Sequence, residues 1–242
     1  MFMDEFYSQD NGRIWIDAGQ ASRFAKGIAG DFNPIHDPDA RRFCVPGDLL
    51  FALVLARYGL YARMGLRFHS MVGSRIPLLF DEAEGTDGTI AVKDETGKSY
   101  LEVSRAGERT TDMNLIEPFI RRYVAFSGLN FPHYLQPLLE AKGVMFNPDR
   151  PLVIYDRMEY TLRHVADAGA ELVFARSSMN VEGRRAEALL EFELRADGRC
   201  VGSGTKKLVL SGLRPYNADA VKSMIARLDQ LKAEHAAAIS RP

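Results

Sequence analysis

Residues 29–36 read Ala29-Gly30-Asp31-Phe32-Asn33-Pro34-Ile35-His36. A carboxylate and an imidazole stand five positions apart, across an Asn-Pro turn. Pro34 disfavours helix in the residue before it, so a turn is expected here. The ordinary pKa values, about 3.9 for Asp and 6.5 for His, leave the acid ionised and the imidazole mostly neutral at pH 7. Such a pair can hold one water molecule and move a proton on and off it. The plainer reading is purely local: Asp31 caps backbone N–H groups of the turn.

Working outward, residues 13–16 read as a short strand. Asp17 can cap a helix running through Gly27, because Ala21, Phe24, Ala25 and Ile28 recur at helical spacing. Downstream, Pro46-Gly47 precedes an apolar segment over residues 49–64. Leu49, Leu50, Leu53, Val54, Tyr58 and Tyr61 are helically spaced, and apolar residues occupy the other faces too. A helix hydrophobic nearly all round is expected to be wrapped by other structure. Strands are then expected over 68–79, 89–94 and 99–105, with turns at 85–88 and 95–98.

The order then recurs. A helix is expected over 118–126, an Asn/Pro/His turn over 127–133 and an apolar helix over 134–143. Strands follow near 152–164, 171–181, 185–194 and 200–210, with Asp197-Gly198 as a strong hairpin turn. This is a weak internal duplication of pattern rather than of identity. Residues 217–237 form an amphipathic helix with Val221, Met224, Ile225, Leu228 and Leu231 on one face. Packing on the body is its expected role, with a dimer contact as the alternative.

Composition bounds the rest. The chain has 242 residues and 46% hydrophobic content, enough for a sizeable core. Its 31 basic and 32 acidic residues give no electrostatic footprint for nucleic acid. Cys44 and Cys200 have no metal-ligand spacing and read as free thiols of a reducing compartment. The first ten residues lack the features of a signal peptide, and no apolar run reaches the roughly 18 residues of a membrane span. The expectation is a soluble, cytoplasmic protein without nucleic-acid or membrane partners and without a bound metal.

The 29–36 stretch resembles the small-Gly-Asp-x-Asn-Pro-Ile-His signature of the MaoC-like (R)-specific enoyl-CoA hydratases. Phe43-Cys44-Val45-Pro46-Gly47-Asp48-Leu49-Leu50 resembles, more weakly, the motif that opens that family's central helix. Those proteins have the hot-dog fold, a long helix wrapped by a curved antiparallel sheet. The resemblance implies an α+β double hot dog: two curved antiparallel sheets, each wrapping a central helix, fused in one chain. The implied units are 1–112 with the Asp/His motif, a degenerate 113–212, and a C-terminal helix over 213–242. Three departures stand out. Pro46 replaces the usual His, the stretch from His36 to Gly47 is short, and Leu129 replaces the Asp in the second half.

The resemblance implies hydration of a trans-2-enoyl thioester, or dehydration of the 3-hydroxyacyl thioester, a lyase activity of fatty acid metabolism. Asp31 and His36 would activate water, Asn33 would orient the His-bearing loop, and the Gly47 N–H would meet the charge developing on the thioester oxygen. A helix N-terminus favours negative charge whatever the family. No cofactor is implied; the substrate is carried on CoA or on acyl carrier protein, and a homodimer is possible. A binding-only or regulatory protein and an acyl-CoA thioesterase are alternative readings, since fold alone does not fix function.

Other candidates carry less. His133 sits without an acid and reads as structural; His69 and His164 lack a ligand partner at metal spacing. Residues 202–207 lack the Gly-Lys-Ser/Thr order of a phosphate loop. Arg41, Arg42, Lys206 and Lys207 could meet the phosphates of a CoA arm, but solvated surface charge is the favoured reading.

Overall fold

The computed structural model describes residues 2–82, 85, 87–129 and 133–239. Helix α1 (Ala18–Phe24) starts at a reciprocal cap: the Gln20 N–H donates to Asp17 Oδ1, and the Asp17 N–H donates to the Gln20 side chain. Helix α2 (Gly47–Tyr58) is buried on every face, from Asp48 to Leu55 without a break. It is shorter than the spacing predicts. Gly59 ends it at φ 93°, and the following residues form a strand. A Cβ at Gly59 would also strike the Thr110 carbonyl, so only glycine turns the chain here. Residues 60–64 therefore leave the expected helix. Their apolar side chains fit a buried strand as well as a buried helix, and periodicity alone does not separate the two.

The first strands are β1 (Ser8–Asp10), β2 (Arg13–Trp15), β3 (Leu60–Phe68), β4 (Leu78–Phe80), β5 (Gly88–Asp94) and β6 (Ser99–Thr110). Residues 69–77, expected as strand, instead form a loop tied back by the Arg75 N–H to the Ile16 carbonyl and by the Val72 carbonyl to the Val45 N–H. The second half begins with α3 (Met113–Gly128), capped by Asp112 and longer than expected, and α4 (Leu135–Ala141). Part of the expected turn over 127–133 lies outside the described residues, and Ser127 and Gly128 belong to α3. Strands β7 (Val144–Met145), β8 (Leu152–Leu162), β9 (Glu171–Glu182), β10 (Arg185–Ala196), β11 (Arg199–Ser211) and β12 (Arg214–Pro215) follow, then α5 (Ala218–Ile239). Asp197 and Gly198 both have positive φ, as the tight β10–β11 hairpin requires.

Ten strands join in one antiparallel sheet, ordered β1-β2-β4-β5-β6-β3-β8-β11-β10-β9. The two halves meet edge to edge where β3 pairs with β8, from Arg63↔Thr161 to Arg67↔Arg157. The fold is α+β, with a helix pair and an antiparallel meander in each half: the double hot-dog arrangement, its two sheets continuous. One core holds α2 together with Met64, Leu66, Val103 and Met158 of the sheet and Phe119 and Tyr123 of α3. Phe51 of α2 stacks on Tyr123 at 4.2 Å. A smaller core sets Leu135 and Leu139 of α4 against Leu190, Leu208 and Leu210.

Candidate active site

The chain leaves α1 through one wide helical turn, residues 25–29, and reverses at Gly30, whose φ is 65°. That left-handed residue suits glycine and aims Asp31 back across the turn. The Asp31 N–H donates to the Ala25 carbonyl at 2.8 Å. Asp31 Oδ1 accepts the Asn33 N–H at 2.8 Å, and Asn33 Oδ1 accepts the Ile35 N–H at 3.2 Å. These two side-chain caps start a tight helical turn, Pro34–His36, with Pro34 at its first position. The local role foreseen for Asp31 is thus real, and it uses one carboxylate oxygen. The other, Oδ2, lies 3.5 Å from Nε2 of His36.

The short stretch after His36 folds back instead of spreading. The Cys44 N–H donates to the Ile35 carbonyl at 3.0 Å, and the Cys44 carbonyl lies 2.7 Å from Nδ1 of His36. A carbonyl only accepts, so Nδ1 carries a proton. Nε2 can then donate to Asp31 only when the ring is doubly protonated. Burial alone would drive the His36 pKa down, but the Asp31 hydrogen bond and charge, with the Cys44 carbonyl, outweigh it and the value is raised. Burial alone would lift Asp31, but the hydrogen bond and charge of His36 outweigh it and its pKa is lowered. Both shifts favour a carboxylate facing an imidazolium.

Asp31, Asn33, His36 and Gly47 all border one cavity of about 700 Å³, within the usual size of a small-molecule site. Its lining is mostly apolar, with Leu50, Phe68, Met71, Phe146, Met224 and Leu228 among it. Gly47 opens α2, where the first N–H groups have no partner within the helix. Its lack of a side chain has a steric reason too: a Cβ would lie 3.0 Å from the Tyr155 ring and 3.2 Å from that of Phe68. Helix α5 lies across the cavity, contributing Met224, Leu228 and Leu231, while His235 meets the Phe32 ring edge-on at 5.5 Å. The apolar face expected of this helix therefore covers the pocket of its own chain.

The remaining candidates separate. His69 borders the cavity, His133 is exposed, and His164 faces Glu108 at 3.7 Å on the surface. Arg41 and Arg42 are exposed, and Lys207 pairs with Glu187 at 2.9 Å. Lys206 corrects the expectation of solvated charge, being fully buried. It donates to Ser127 Oγ and, at 3.0 Å, to the Tyr123 carbonyl. Ser127 donates in turn to Asp48 Oδ1 at 2.9 Å. Burial raises the Asp48 pKa, to about 6, and lowers that of Lys206, to about 8, although each supports the other's charge. The sequence does hold a signal for Lys206: it shares the inward alternation of β11 with Leu208 and Leu210. Asp48 and Ser127 carry no comparable mark. Cys44 is a buried free thiol whose pKa burial pushes up to about 12, so it stays protonated. Among the described residues no group of three or more His, Cys, Asp or Glu is placed to hold a metal ion. No described helix is long and apolar enough to cross a membrane.

The fold and the arrangement of the site define a double hot-dog protein with an Asp/His pair on its cavity wall. The chain belongs to the family of proteins of unknown function DUF3581, whose model matches residues 1–219. A comparison with curated proteins finds no match. Similar solved structures include an acyl-CoA thioesterase II, TesB2, from Mycobacterium marinum, at 12% identity over 90% of this chain and 99% of that one, TM-score 0.44. Another is a conserved protein of unknown function with a hot-dog fold from Alicyclobacillus acidocaldarius, at 10% identity over 88% and 98%, TM-score 0.49. A MaoC-like dehydratase matches at 11% identity over 85% and 97%, TM-score 0.43. These are likenesses of layout; the chemistry is read from the chain's own residues.

Proposed function

We propose that this protein adds water to a trans-2-enoyl thioester, or removes it from the 3-hydroxyacyl thioester, with CoA or acyl carrier protein as the carrier. The observation that carries the reading is the 3.5 Å approach of Asp31 Oδ2 to His36 Nε2 on the wall of an apolar cavity beside the start of α2. In hydration, a water held between the two groups gives a proton to the Asp31 carboxylate as its oxygen bonds to C3. The C2=C3 π electrons take a proton from His36 Nε2, forming the C2–H bond. A proton passing from Asp31 to His36 restores the pair. The negative charge that builds on the thioester oxygen is met by the N-terminus of α2, with the Gly47 N–H as donor. Dehydration is the reverse path. Asn33 acts as a positioning residue, holding both the Asp31 loop and the turn that carries His36.

The test is loss of enoyl absorbance with crotonyl-CoA and with a longer trans-2-enoyl-CoA. Turnover that Asp31→Asn and His36→Ala each reduce by two orders of magnitude or more, with the fold intact, supports the reading. Unchanged turnover in either variant overturns the mechanism. Release of free thiol without loss of the double bond favours the thioesterase alternative. The binding-only reading would be favoured by a His36 held away from Asp31, and the 3.5 Å contact weighs against it.

A further inference from the structure

Apart from the dyad, the structure holds a buried pair of charges, Asp48 and Lys206, that the reaction above does not use. Asp48, the second residue of α2, is 2% exposed and borders the same cavity as Asp31 and His36. Its Oδ1 accepts from Ser127 of α3, and its Oδ2 lies 3.4 Å from the Tyr155 hydroxyl of β8. Lys206 of β11 places Nζ 3.8 Å from Oδ1 and 4.0 Å over the Tyr123 ring. Three elements of the second half, α3, β8 and β11, thus converge on one carboxylate carried by α2 of the first.

A buried ion pair is a poor way to gain stability, because apolar residues of similar size commonly do as well. The placement of this one suggests another use. Asp48 shares one cavity wall with Asp31 and His36 of the motif turn, lies 3.8 Å from Lys206 of β11 and 3.4 Å from the Tyr155 hydroxyl of β8, and acts through its charge on Tyr123 of α3. Lys232 of α5 acts on Asp31, and Arg227 of α5 also borders the cavity. Of these, Asp48 and Asp31 are the anions acting on His36.

We infer that Asp48 is a positioning residue of this site: its fixed negative charge on the cavity wall keeps His36 doubly protonated, and Ser127 and Lys206 hold that charge in place. In catalytic terms the inference rests on the hydration reading, where His36 must bring a proton to C2. In physical terms it does not, since the charge of His36 is measurable without substrate. The low-dielectric surroundings make a single charge effective over a few ångströms. The value of His36 is raised chiefly by Asp31 and then by the Cys44 carbonyl, and the charge of Asp48 adds to it in the same direction.

The experiment is an NMR titration of the imidazole C–H signals in the full chain, with His36 assigned from a His36→Gln variant. Asp48→Asn keeps the side-chain shape and removes the charge. The His36 midpoint is expected to fall by about one pH unit, a tenfold shift in its protonation equilibrium. The paired change Asp48→Asn with Lys206→Met is expected to lower it as well, while leaving no unpaired buried charge to endanger the fold. An unchanged midpoint in either folded variant overturns the inference and leaves Asp48 as scaffolding. With an active enzyme, the alkaline limb of kcat/KM should move down in pH by the same amount. A shifted midpoint in a protein that turns over no enoyl thioester would uphold the role of Asp48 and defeat the hydratase reading, so the two fail separately.

Discussion

Gly128, in the last turn of α3, packs directly on the carbonyl oxygen of Ala29. A Cβ there would overlap that oxygen and also lie 3.0 Å from the carbonyl of Gly30. Gly128 of the second half thus backs the turn that carries Asp31 in the first. Both obstructing groups are backbone, so neither can swing aside.

Gly128→Ala should therefore act on the site without touching its chemistry. Overpacking of this kind costs about 1–3 kcal/mol. The expected outcome is a lowered Tm with a loss of turnover larger than the loss of folded protein, because the displaced segment carries Asp31. Thermal melts and the enoyl assay on one preparation check it. A variant with native Tm and native rate would show that the contact is slack.

The Asp31–His36 pair should make stability depend on pH in a defined direction. Asp31 is lowered from its ordinary 3.8, so its contribution exists above that value and is lost as pH falls through the depressed one. His36 is raised from 6.5, so its contribution is complete below that value and is lost as pH rises through the raised one. Both are fully present only between about 3.8 and 6.5. Denaturant unfolding should show Asp31→Asn costing more at pH 6 than at pH 9. An equal cost at both would argue against an ionised pair.

Lys206→Met should destabilise by about 3–5 kcal/mol, because it strands Asp48 in a dry environment. Adding Asp48→Asn to it should recover most of that loss, since the remaining polar group is neutral. Urea titrations of the two single variants and the double variant give the coupling directly. Additive losses would mean that the 3.8 Å pair is too well solvated to interact.

Removal of α5 after residue 217 should affect long substrates more than short ones. The helix supplies Met224, Leu228 and Leu231 to the cavity wall. Each substrate methylene that loses its apolar cover forfeits up to about 0.8 kcal/mol. The expected pattern is a KM that rises with acyl length while the crotonyl substrate is little changed. A uniform loss across lengths would place α5 in folding rather than in substrate binding.

The parts of this fold that are legible in the sequence are those written locally. The Asp17 cap, the Asn33-Pro34 turn and the Asp197-Gly198 hairpin each rest on neighbours a few residues apart. The Asp31–His36 contact shares that property, because one turn sets both side chains. The end of α2 is harder to read, since apolar residues run across Gly59 and suit a buried strand as well as a helix. Hardest is the Asp48–Ser127–Lys206 group, whose links span 79 positions each. No pattern along the chain marks a contact of that range. The alternation in β11 shows which way Lys206 faces, though not what it meets.

The continuous pairing of β3 with β8 bears on how such a molecule can diverge. Two identical subunits meeting at that seam would take every substitution twice, once on each side. Within one covalent chain each half accumulates its own. The first half has a carboxylate at position 31 where the second has Leu129, and the helices of the second half lend the cavity Ser127, Gly128 and Leu135. A single chain whose halves are joined at this seam can therefore carry different residues at the two positions, and it cannot exchange one half for another.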